Sequence, residues 1–130
     1  MAKSNDPENT VLDAIYGSTT LYATTYIALL VTDPTDADVG TEVSGSGYAR
    51  LLVAQNATNW PNASGGTKSN GVDFTFAAAT GAWTTGNYIG IYSASIGGTL
   101  LHHGALDSAI SIADTDVAVI QTGALDITES

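Results

Sequence analysis

The apolar residues of this 130-residue chain come in short stretches, each bounded by residues that turn a backbone. The longest mostly apolar run, Tyr26 to Val31, has strand length and falls far short of the ~20 residues a membrane helix needs. It follows the β-branched and aromatic segment from Thr19 and shows little alternation, which predicts a strand buried on both faces. Asp33-Pro34 ends it. Tyr48 to Ala54 forms a second apolar strand pattern. Val72, Phe74 and Phe76 alternate with Asp73 and Thr75, the two-residue period of a strand with one wet face.

The remaining segments repeat this pattern. Tyr88 to Ala94, the turn sequence "SIGG" and the return Thr99 to Leu106 together predict a hairpin, and Gly90 inside its first strand predicts close packing by a neighbour. Short strands are expected near Ala109 to Ile112, Val117 to Thr122 and Ala124 to Ile127, with "ADTD" turning between the first two. About seven to eight short strands at this spacing imply a mainly β fold, an antiparallel sandwich or barrel. Composition agrees. Only 12% of residues are charged while 44% are hydrophobic, so Thr, Ser, Asn and Gly carry the polarity. Those residues suit strands and turns better than helix surfaces.

One helix is expected, over Asn5 to Gly17. Asp6 caps it, Pro7 takes its first position and Glu8 favours its positive end. Val11, Leu12, Ile15 and Tyr16 share a face, and Gly17 closes it. It packs on its own domain or reaches a neighbouring subunit. The expected organisation is a single domain over 1–130, with an N-terminal arm over 1–17 and the β-sandwich over 18–130. Two long polar stretches interrupt the β body, a loop over Asp33 to Gly47 and a loop or edge region over Gln55 to Gly71, and loops of that length are usually functional or mobile.

Three basic residues stand against thirteen acidic ones, a formal net charge of −10. No basic patch is available to neutralise phosphates or anionic lipid, so neither a nucleic acid nor a membrane is an expected partner. The absence of cysteine excludes disulfides and thiolate metal sites. "MAKSNDPENT" has no apolar core, so the expectation is a protein made in a cytoplasm and not exported by a secretory signal.

Candidate sites are few. His102 and His103 are adjacent in a strand and therefore point to opposite faces, which prevents joint chelation of one metal. Asp33, Asp36, Asp38 and Glu42 share a loop, but their spacing does not match a calcium-binding loop, and a solvated acidic loop is expected. "GSGYAR" precedes a strand and lacks the lysine of a phosphate loop. The sequons at Asn56 and Asn62 are ascribed to chance in an Asn/Ser/Thr-rich chain. No serine or threonine is marked out as a nucleophile, so neither an enzyme nor a cofactor is expected. Trp60 and Trp83 are the candidate stacking platforms of a glycan-binding domain. The single arginine, Arg50, stands behind the acidic loop and beside Tyr48. In a strand from Tyr48 to Val53, Tyr48, Arg50 and Leu52 would share one face. A pair between its planar head and Glu42, or another of the many carboxylates, would pin the loop; a contact to an adjacent subunit or a solvated charge are the alternatives. Tyr48, Arg50, Glu42, Trp60 and Trp83 are therefore the candidate loop-anchoring or inter-subunit residues.

Four segments carry a resemblance: "GTEVSGSGYAR" (Gly40 to Arg50), Val72 to Trp83, Ile89 to Leu106 with its G-G-x-L-L turn, and "TGALDIT" (Thr122 to Thr128). They resemble a group of small β-rich virion proteins of tailed bacteriophages, described as head decoration (cement) or tail-fibre-like proteins. The resemblance implies a structural role. A compact chain without a collagen-like or coiled-coil segment favours decoration of a capsid surface, with the major capsid protein and further copies of the chain, as a homotrimer, for partners. A tail-fibre or baseplate component, with a host-surface or glycan-binding module, is the alternative.

Overall fold

The computed structural model describes residues 2–3 and 22–128. The helix expected over Asn5 to Gly17 lies outside the described residues. The described chain is mainly β and every strand pairing is antiparallel. Its strands are β1 (Ala2–Lys3), β2 (Thr24–Leu30), β3 (Leu51–Ala54), β4 (Thr67–Ser69), β5 (Phe74–Thr75), β6 (Gly86–Tyr92), β7 (Leu100–Ile110), β8 (Val119–Ile120) and β9 (Asp126–Thr128).

Five strands form one sheet in the order β1-β7-β6-β2-β3. The most apolar strands, β2 and β6, lie inside it, where both faces are covered. Ile27, Ala28, Leu29 and Leu30 are all 1% exposed or less. Burying each large aliphatic side chain in this way stabilises the fold by about 1.5–3 kcal/mol. Register sorts the two faces. Ile27 stands across from Ile91, and Leu29 from Ile89, on the side of the main core. Ala28 stands across from Gly90, and Tyr26 from Tyr92, on the other side, where Ala28, Tyr92 and Leu100 form a smaller cluster. Gly90 is buried there because a Cβ at that position would approach Tyr92 Cε2 to 2.9 Å and Leu30 Cδ1 to 3.1 Å.

Two short ribbons, β4-β9 and β5-β8, complete the main core with Phe74, Ile120 and Ile127. Phe76, Ala79, Trp60, Trp83, Ile112, Ala118 and Leu125 join them from the connecting segments. The chain over Ala109 to Ile110 belongs to the long β7 and is not a separate strand. Part of the loop or edge region expected before Gly71 is β4, paired with residues 57 or more positions away. Local periodicity carries no trace of such pairing, because the partner strand is distant in sequence. The β6–β7 connection is longer than the expected tight turn and covers residues 93–99.

Candidate functional site

Sheet extension prepares the site. Beyond β2 the chain leaves for the acidic loop and returns to pair again, with Val31 N–H donating to Thr41 O (2.7 Å) and Val43 N–H to Leu29 O (2.9 Å). The loop is thus closed at its base. Within it Val39 N–H donates to Pro34 O (2.8 Å), and Pro34 is buried.

The four carboxylates of this excursion do not converge on a common point; Asp33, Asp36 and Asp38 are exposed, as a solvated acidic loop requires, and each of the four also takes a partner within the protein. Asp33 Oδ1 accepts from the Thr35 N–H (2.9 Å). Asp36 Oδ1 lies 2.8 Å from Nε2 of the buried His103. Asp38 Oδ1 accepts the Tyr92 hydroxyl at 2.7 Å. Glu42 binds Tyr48 and Arg50. Among the described residues no group of three or more His, Asp or Glu side chains comes together as a metal-holding cluster.

Arg50 is the hub. Its side chain is 9% exposed, against 29% for Glu42. Nη2 donates to Glu42 Oε1 (2.9 Å), and Nε donates to both oxygens of the same carboxylate (3.2 and 3.1 Å). Nη1 donates to the carbonyls of Ala94 (2.9 Å) and Gly97 (2.8 Å) in the β6–β7 loop. Cζ sits 3.9 Å above the Tyr92 ring centroid. A planar fork with this many fixed donors suits arginine and not lysine. Arg50 therefore ties the acidic loop, the β6–β7 loop and the outer sheet face together.

Tyr48 completes the brace from the other side. Its hydroxyl donates to Glu42 Oε2 (2.6 Å) and accepts the Leu29 N–H (3.1 Å). Burial, and then the hydrogen bond to Glu42, push its ionisation well above the usual phenol range. Burial and the bond to Asp38 do the same for Tyr92. Both remain neutral donors to carboxylates. Tyr48 and Arg50 reach Glu42 from an irregular segment, because β3 starts only at Leu51, and this corrects the expected shared strand face. Leu52, which is in the strand, is 55% exposed.

Trp83 anchors the next stretch of the same loop. Its indole N–H donates to Ser46 O (2.9 Å), and its ring meets Tyr48 edge-on at 5.2 Å. Trp60 meets Phe74 at 5.3 Å, and its indole nitrogen is buried without a hydrogen-bond acceptor. The two tryptophans are 5% and 7% exposed. Neither presents an open face, so the stacking-platform expectation for glycans is overturned by burial in the core.

Sequence reasoning missed Asn70. It is 2% exposed and satisfies three backbone groups: Nδ2 donates to Val72 O and Gln121 O (both 2.9 Å), and Oδ1 accepts the Leu125 N–H (3.0 Å). The neighbouring Asp73 accepts both the N–H and the hydroxyl of Thr122, which hold its carboxyl below the usual range. In sequence, Asn70-Gly71 reads only as a turn.

Fold and site together define a small antiparallel β protein whose charged and phenolic side chains hold surface loops in place. The chain belongs to the family described as podophage GP4 fiber I protein gp80, whose model matches residues 2–128. It is thereby a virion-associated structural protein of a bacteriophage. No curated protein matches the chain.

Proposed function

We propose that the protein is a fibre-type component of the virion, a compact β module that attaches to the particle and presents braced loops. The family description supports fibre over the head-decoration role that the resemblance favoured, and the match over nearly the whole chain carries the reading. The brace supports it physically. A loop already fixed by Arg50 and Glu42 loses little further freedom on contact, which favours binding. Cryo-electron microscopy of intact particles with antibody-labelled protein tests the proposal. Label on fibres or tail appendages is the expected outcome; label spread over the head lattice refutes it.

The small described β body, with its surface made of loops, favours a second reading. Here the protein is a decoration (cement) protein on the capsid surface, bridging subunits of the major capsid protein as a homotrimer. Purified protein would then bind expanded heads and raise their melting temperature. Unchanged melting at saturating protein rejects this second role.

A further inference from the structure

The β6–β7 loop presents an exposed apolar tip on a fixed frame. Ile96 is 89% exposed. The carbonyls on either side of it, of Ala94 and Gly97, are both held by Arg50 Nη1. Ser93 N–H donates to Thr99 O (3.0 Å), and Thr99 N–H returns to Ser93 Oγ (2.8 Å), which closes the loop base. Gly98 adopts φ 73°, and a Cβ there would come within 2.8 Å of the Ala94 Cβ. The tip is therefore set in one conformation while its largest apolar side chain contributes almost no burial to the fold.

Two further exposed apolar residues are tied to the same frame. Val39 is 70% exposed and follows Asp38, whose carboxylate holds the Tyr92 hydroxyl. Leu52 is 55% exposed and pairs across β3–β2 with Tyr26, which pairs across β2–β6 with Tyr92. Tyr92 lies beneath Arg50. Val39, Leu52 and Ile96 thus belong to segments that converge on one tyrosine, and the exposed Asp33, Asp36 and Asp38 stand beside Val39 on its loop.

We propose that this surface docks onto a different virion protein, into an apolar pocket edged by lysine or arginine. Charge selects that occupant over a second copy. The chain carries −10 formally, with three cations. Arg50 is committed to Glu42, Lys68 lies on β4 in another sheet, and Lys3 lies on β1, at the sheet edge opposite β3. A second copy would bring further carboxylates against those of the acidic loop, whereas a basic-edged pocket complements them. Ile96 is the central anchor, and the carboxylates supply orientation.

The inference rests on the virion location, and the experiment separates the two. Phage carrying Ile96→Asp are compared with wild type and with Ser95→Ala, counting copies of the protein per particle by quantitative mass spectrometry. The expected result is a loss of roughly tenfold or more for Ile96→Asp, the scale of a hot-spot residue, and no loss for Ser95→Ala. Ile96 is exposed, so the thermal midpoint of the isolated protein stays unchanged. A photo-crosslinking amino acid at position 96 should join the protein to a different virion protein at an apolar segment flanked by Lys or Arg. Wild-type incorporation of Ile96→Asp overturns the proposal, as do crosslinks that join two copies of this chain. Absence of the wild-type protein from particles would count against the virion location instead.

Discussion

Replacing Arg50 by alanine removes one partner from a largely desolvated pair and leaves Glu42 facing only the Tyr48 hydroxyl. Breaking a fully buried pair in this way costs about 3–5 kcal/mol. Glu42 is 29% exposed, so water recovers part of that loss and about 2 kcal/mol is the scale for this pair. Loss of the stack on Tyr92 adds about 1 kcal/mol. The carbonyls of Ala94 and Gly97 lose charge-assisted bonds, but they lie near the surface and water replaces most of the interaction. The sum is about 3 kcal/mol, or a fall in melting temperature of roughly 10 °C for a domain of this size. Urea denaturation of Arg50→Ala, Glu42→Gln and the double variant measures it. The double-mutant cycle should return a coupling of about 2 kcal/mol. Arg50→Lys should recover less than half of the loss, because an ammonium cannot reproduce the fork. A loss below about 1 kcal/mol for Arg50→Ala, or a coupling near zero, would show that Arg50 is a surface charge with no bracing role.

Asn70→Ala should cost about 1–3 kcal/mol, since it strands the buried Leu125 N–H and frees the part-buried carbonyls of Val72 and Gln121, and chemical denaturation reads the loss. The raised phenol ionisations of Tyr48 and Tyr92 give stability that is complete below about pH 10, the ordinary tyrosine value, and is lost as pH rises toward their folded values. Alkaline titration of the thermal midpoint should show this fall, and Tyr48→Phe should flatten it. The depressed Asp73 carboxyl acts in the opposite direction: its contribution is present above about pH 4 and is lost on acidification, and Asp73→Asn should remove that acid-side dependence. Both tryptophans should emit at short wavelength and resist iodide quenching in the native protein; strong quenching would contradict their burial.

The apolar runs were legible because their period is local. A strand buried on both faces cannot alternate, and Tyr26 to Val31 does not, so β2 was placed within two residues of its observed ends. A carboxylate partner for Arg50 was legible for another reason: the chain has one arginine and thirteen acidic residues, and the preceding loop carries several of them; that Glu42 is the partner was decided by the fold. The expectation of open tryptophan platforms failed because an indole reads the same whether a ribbon covers it or not. Trp60 and Trp83 are covered by partners distant in sequence, Phe74 and Tyr48 among them.

By itself, then, the sequence determined a β protein of short strands and turns, poor in helix-favouring charge, with one cation able to brace an acidic loop. Those properties follow from residue type, period and charge, which act over a few neighbours. Only the tertiary structure decided that β4 and β5 find β9 and β8, that the buried Asn70 closes three backbone bonds, and that Arg50 also reaches Ala94 and Gly97. Each of these joins residues 40 or more positions apart, apart from the short-range bond from Asn70 to Val72. Such contacts are selected by the packing of the whole core, so local patterns along the chain carry no record of them.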